Sequence, residues 1–232
     1  MAEHVSITSF DNQQFDAFLY APSSTPAPGL VMIPEIFGIN TPLREIAARY
    51  ASEGFAVLVM DIFWRLKRGV DLGYDKQGYK EAFELHAAFD YPTAMKDVQS
   101  TITALRGRKE CDGHVGLVGF CLGGTIAYLA ASRTDSEASV GYYGTRIQNF
   151  LEDGPKISKP LILHFGERDH TTPPDLLANI HAAVEGNANV TSYVYPNVGH
   201  AFANHRRADT YDEPTTKIAD ERTFTFFRKW LG

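Results

Sequence analysis

The sequence predicts an α/β fold, with a mostly parallel central sheet carrying helices on both faces. Three observations point there. Strand-length apolar runs alternate with amphipathic stretches of helical period, the pattern of strands buried between helix layers. Glycine and proline breakers fall between these segments instead of within them. With 232 residues and 44% hydrophobic content, the chain suits one sizeable core, read as a single domain over 1–232.

The elements follow in order. The first 21 residues alternate apolar and polar positions around Asp11-Asn12, which predicts an antiparallel hairpin at a sheet edge. A Pro/Ser loop, APSSTPAPG, then leads into the first buried strand, Gly29–Ile33. Further strands are expected at Phe55–Met60, His114–Phe120, Ser139–Tyr143, Pro160–Phe165 and Thr191–Tyr195. The segments between them fit helices at Pro42–Glu53, Tyr79–Phe89, Thr93–Arg106, Leu122–Ser132, Pro174–Glu185 and Thr216–Leu231. Gly69–Gly78 is polar and contains glycine, so it reads as either a crossover or a mobile rim over a site.

Function is concentrated in GLVGFCLGGTIAYLA, residues 116–130. Gly119-Phe120-Cys121-Leu122-Gly123 has the form G-x-nucleophile-x-G between an expected strand and an expected helix, the context of a nucleophile elbow. Such a turn holds its central residue in a strained conformation, and glycines on either side let strand and helix approach. Cys121 would also stand at the first turn of a helix, where unpaired amides and the macrodipole favour a thiolate. Its partners come in the right order. PLILHFGERD ends in Asp169 just past one strand, and SYVYPNVGHAF carries His200 just past the next. Nucleophile, acid, histidine is the chain order of α/β-hydrolases.

A fourth feature is IPEIFG, residues 33–38, directly after a strand. In an α/β-hydrolase this loop contributes an oxyanion-hole amide, here from Ile36, paired with the amide of Leu122. Glu35 would direct a second acid-base group toward the same cavity, able to take the thiol proton. Structural alternatives exist: Asp169 capping the helix near Pro173, and Glu35 capping the helix near Pro42 or forming an ion pair. His86 and His164 read as packing residues, with His86 a candidate pocket wall; His114, His170 and His205 read as surface.

Through PEIFGIN, the AFD of Ala88–Asp90, GFCLGG, GERD and GHAF, the chain resembles the dienelactone hydrolases, or carboxymethylenebutenolidases, over essentially its whole length. The resemblance implies an α/β-hydrolase fold, a triad of Cys121, Asp169 and His200, and a glutamate at Glu35. It also implies two arginines holding a substrate carboxylate, and here the chain departs: the corresponding positions are Tyr79 or Lys80, and Asn204. Lys80 and Arg206, the nearest cations by sequence, are expected to supply the missing charge ahead of the alternative of a neutral substrate, and Phe37, His86 and Phe202 are further candidates to line a substrate site.

Composition narrows the partners. A net charge of −6 gives no basic footprint for nucleic acid or an anionic membrane. The start lacks a basic segment followed by an apolar one, and no apolar run approaches the ~20 residues that span a bilayer. A cytoplasmic enzyme, monomeric or weakly self-associating, is expected. Two cysteines, Cys111 and Cys121, are too few for a disulfide framework, and zinc-site spacings are missing, so neither metal nor cofactor is expected. The expected reaction is hydrolysis of a lactone or activated ester through a cysteinyl thioester. A carboxylesterase or thioesterase of different acyl specificity, or a binding protein on the same fold, are the alternatives.

Overall fold

The structure, a computed structural model, describes residues 2–232, and the chain divides into two compact units, Met1–Gly116 and Leu117–Gly232. The first begins with β1 (Glu3–Thr8) and β2 (Gln14–Tyr20), paired antiparallel with Thr8 opposite Gln14. The turn between them bends through Asn12 at φ +64°, a left-handed conformation that asparagine tolerates better than most residues. β3 (Ala27–Ile33) and β4 (Ala56–Met60) pair in parallel, and β2 borders β4. Every residue of β4 is buried, as the continuous apolar run AVLVM requires. α1 (Thr41–Ser52), α2 (Lys76–Ala87) and α3 (Tyr91–Arg106) complete the unit, and β5 (Cys111–Phe120) runs from it into the second.

Helix starts lie earlier than the apolar period alone suggests, because caps set them. Asp75 accepts from Gly78 N at 2.7 Å and starts α2 three residues before Tyr79. Asp90 caps α3 in the same way, and Asp212 accepts from Thr215 N at 2.9 Å to start the C-terminal helix at Glu213. The 69–78 segment is tied to the loop after β3. Gly38 bridges Asp71, Ile39 N donates to Val70 O at 2.8 Å, and Leu72 N donates to Phe37 O at 2.9 Å. Gly38 has φ +72°, and a Cβ there would lie 2.0 Å from Val70 O, so only glycine permits this crossing.

The second unit is a parallel set. β5 pairs with β6 (Ser139–Tyr142), β6 with β7 (Leu161–Gly166), and β7 with β8 (Val190–Tyr195). α4 (Leu122–Arg133), α5 (Pro174–Val184) and α6 (Glu213–Leu231) accompany them, with a kinked 3₁₀ run at Ile147–Lys156. Two neighbours on β6 show that helices cover both faces. A Cβ on Gly141 would meet Gly124 O of α4 at 2.7 Å, whereas the Tyr142 hydroxyl donates to Asp220 Oδ1 of α6 at 3.0 Å. Successive strand residues point to opposite faces, so α4 and α6 lie on opposite sides. Behind Tyr142, buried His164 meets the Tyr195 hydroxyl through Nδ1 at 2.9 Å and Thr223 Oγ1 through Nε2 at 3.0 Å. No helix among the described residues is long and apolar enough to cross a membrane.

Candidate active site

The elbow takes the form its glycines allow. Cys121 has φ +56° and ψ −112°, a backbone conformation that non-glycine residues adopt only when their surroundings impose it. Its N–H donates to Tyr142 O at 3.0 Å, fixing the turn to the end of β6, and its carbonyl accepts from Gly124 N at 2.9 Å as α4 begins. A Cβ on Gly119 would fall 1.9 Å from Gly123 O, so strand and helix cross at a distance no side chain permits. Cys121 precedes the first helical residue, yet its thiol makes no capping bond to the helix amides. Leu122 N–H is the first amide of α4, one that no intrahelical acceptor reaches.

Asp169 and His200 arrive from the carboxyl ends of β7 and β8. A Cβ on Gly166, the last residue of β7, would stand 2.6 Å from Val198 O and 2.7 Å from Gly199 O. Glycine there lets the loop carrying His200 close onto the Asp169 turn. His200 Nδ1 lies 2.8 Å from Asp169 Oδ2, and the Cys121 side chain is near enough to bear on the charge of the imidazole. The structure thus gathers Cys121 and Asp169 around the His200 imidazole, with a hydrogen bond between Asp169 and His200. Asp169 does not serve as a helix cap, since α5 starts behind Pro173 with no side-chain cap.

The electrostatics follow from these contacts. Burial opposes charge on His200, but the neighbouring Cys121 and Asp169 side chains outweigh it and raise its pKa to about 10. Burial likewise opposes charge on Asp169, yet hydrogen bonds from His200 and Thr171 hold its carboxyl below the usual value. Asp169→Asn removes one of the charges that favour the imidazolium. The His200 pKa, followed by ring NMR, is expected to fall from about 10 by about one to three pH units, with ester turnover dropping by about 10²-fold or more. An unmoved titration would show that Asp169 is not coupled to His200.

Other candidates occupy defined places within their own units. Glu35, Ile36 and Phe37 are buried in the loop after β3. Glu35 is not the cap of α1; that role belongs to Asn40, whose Oδ1 accepts from Leu43 N at 3.3 Å. Phe37 packs edge-on against Tyr79 at 5.0 Å and Tyr74 at 4.7 Å. His86 is buried, with Nε2 3.2 Å from the Tyr91 hydroxyl. Lys80 is exposed on α2, with its ammonium 3.9 Å from Glu84. In the second unit Phe202 and Asn204 are buried and Arg206 is exposed.

Sequence reasoning passed over Tyr143. This bulky residue has φ +39°, and its ring meets His200 edge-on at 5.1 Å and Phe202 at 5.4 Å. A strained aromatic beside His200 marks a wall of the site. In sequence it was simply the apolar end of a strand, and nothing in the pattern announces a positive φ.

Known proteins bear on this geometry. The model of the dienelactone hydrolase family matches residues 15–231. A carboxymethylenebutenolidase of Pseudomonas putida is 32% identical over 227 residues, covering 97% of this chain and 96% of that protein. Carboxymethylenebutenolidase 1 of Cupriavidus pinatubonensis is 31% identical over 224 residues, covering 96% and 95%. Among solved structures, a Klebsiella pneumoniae protein superposes with a TM-score of 0.89 at 23% identity, covering 99% of both chains. A dienelactone hydrolase-like promiscuous phosphotriesterase from metagenomic libraries gives 0.82 at 21%, covering 100% and 99%; both likenesses concern the fold. With its α/β-hydrolase fold and a family model matched over nearly its full length, the chain belongs to the dienelactone hydrolase family and is a hydrolase of the ester and lactone type.

Proposed function

We propose that the enzyme opens a lactone or activated carboxylic ester through a covalent thioester on Cys121. The observation that carries this reading is the strained elbow that presents Cys121 beside the His200 imidazole, itself hydrogen-bonded to Asp169. The thiolate attacks the carbonyl carbon while the Leu122 and Ile36 amides receive the developing oxyanion. The adduct collapses to the thioester as its C–O bond breaks, and the departing ester oxygen takes the proton that His200 holds, leaving the imidazole neutral. A water then gives a proton to His200 and attacks the thioester carbon, and the C–S bond breaks to release the acid and restore the thiolate. Thiolates leave readily, so stabilised leaving groups such as enolates suit the site and amides do not. Quenching a turnover reaction in acid and finding the acyl mass on the Cys121 peptide tests the intermediate; an acyl group on any other residue would refute it.

Glu35 has its place in this reading as a second acid-base group that takes the thiol proton, supported by its position in the loop beside Ile36. Glu35→Gln keeps the shape and removes the base. The burst phase of acylation is expected to slow by about tenfold or more, with deacylation through His200 changed less. An unaltered burst would leave Glu35 a structural residue.

We read the substrate as lacking a carboxylate that must be buried. Supporting this, Asn204 stands where family resemblance calls for an arginine, Arg206 is exposed, and Lys80 is exposed beside Glu84. A buried carboxylate without a cation carries a heavy desolvation cost. Neutral esters are therefore expected to exceed carboxylated lactones in kcat/KM, with Lys80→Ala and Arg206→Ala leaving both unchanged. A selective loss on the carboxylated lactone in either variant would assign that residue as the missing cation. A cytoplasmic location, supported by a composition with only two cysteines, and a monomeric or weakly self-associating state belong to the same proposal.

A further inference from the structure

The hydroxyl of Thr171 touches both members of the Asp169–His200 pair. Thr171 Oγ1 donates to Asp169 Oδ1 at 2.7 Å, and Thr171 N donates to the same oxygen at 2.8 Å. The other carboxylate oxygen, Oδ2, is left to His200 Nδ1 at 2.8 Å. The same Thr171 Oγ1 also stands 3.2 Å from His200 Nδ1. A threonine hydroxyl has one hydrogen and two lone pairs. Its hydrogen is committed to the carboxylate, an acceptor only, so a lone pair faces the imidazole and the Nδ1–H is shared between Asp169 Oδ2 and Thr171 Oγ1.

From this we infer that Thr171 is a positioning residue for the reaction proposed above, acting through Asp169 and His200 without touching substrate. Two donors on Oδ1 stop the carboxylate from rotating about its bond, and so aim Oδ2 at the imidazole. Two acceptors on the Nδ1 side hold the proton there, which leaves Nε2 to exchange a proton with Cys121 and, in deacylation, with water. The Asp169 side chain is fully buried, so water does not replace a lost partner without reorganisation. The hydrogen bonds from Thr171 are also among the contacts that hold the Asp169 carboxyl low.

The test compares Thr171→Val, which keeps the shape and loses the hydroxyl, with Thr171→Ser, which keeps the hydroxyl. Thr171→Val is expected to lower kcat by about tenfold to a hundredfold with KM moving less than about twofold, whereas Thr171→Ser stays within about threefold of the parent. Carbon NMR of the Asp169 carboxyl provides a readout that needs no turnover: its titration should move to higher pH in Thr171→Val and stay in place in Thr171→Ser. Thr171→Ala substitutes if the valine variant does not fold. An unmoved Asp169 titration in the hydroxyl-less variant overturns the inference, and so does a serine variant as impaired as the valine one. The thioester reading fails separately, if Cys121→Ala retains turnover while the Asp169 titration still responds to Thr171.

Discussion

Cys121→Ala is expected to remove ester turnover almost completely, by about 10⁴-fold or more, because no other group on the elbow can form the acyl intermediate. Cys111→Ala is expected to leave turnover within about twofold. The contrast rests on environment. Cys121 stands on the elbow beside His200 at the carboxyl ends of the second unit's strands, whereas Cys111 starts β5 in the first unit, with Gly113 N 3.4 Å from its sulfur. Burial pushes the Cys111 thiol up, away from the reactive thiolate. Iodoacetamide should label Cys121 in step with inactivation. Labelling of Cys111 that tracked the loss of activity while Cys121 stayed free would overturn the assignment.

The second large effect concerns stability. Gly119→Ala places a methyl group 1.9 Å from Gly123 O, and the obstacle is backbone, which cannot swing aside as a side chain does. Either β5 withdraws from α4 or the elbow unwinds. A loss of about 3 kcal/mol or more is expected, with a fall in Tm of roughly 6–12 °C for a chain of this size. Thermal denaturation followed by circular dichroism measures it. A variant melting within about 2 °C of the parent would mean that the crossing is looser than described. Alanine at Gly186, where an added Cβ meets nothing within 4 Å but φ is +75°, gives a comparison in which backbone strain acts without a clash.

The elements that carry the fold were legible because burial leaves a pattern. β4 and β7 are wholly buried, and their apolar runs stand out. Helix starts were less legible: Asp75 and Asp212 extend α2 and α6 past the reach of the apolar period, and a cap is a local hydrogen bond that hydrophobicity does not report. The order Cys121, Asp169, His200 could be read because each follows a strand of one parallel set. The dual contact of Thr171 and the conformation of Tyr143 could not. Both depend on how two loops meet in space, and Thr171 reads in sequence as one more polar residue in a turn.

His164, enclosed between Tyr195 and Thr223, has a consequence for the acid limit of the fold. Burial, reinforced by the nearby Arg222 charge, holds its pKa at about 3 against an ordinary value of 6.5. The imidazole is therefore neutral in the folded chain at pH values where the unfolded chain has already protonated it. Unfolding takes up a proton between these limits. The native state keeps its full advantage above pH 6.5 and loses up to about 1.4 kcal/mol for each pH unit as the medium is acidified toward the folded pKa. A histidine with no part in the proposed reaction thus makes tolerance of acid a property of the core, and refolding from mild acid releases a proton as β7 and α6 close on each other.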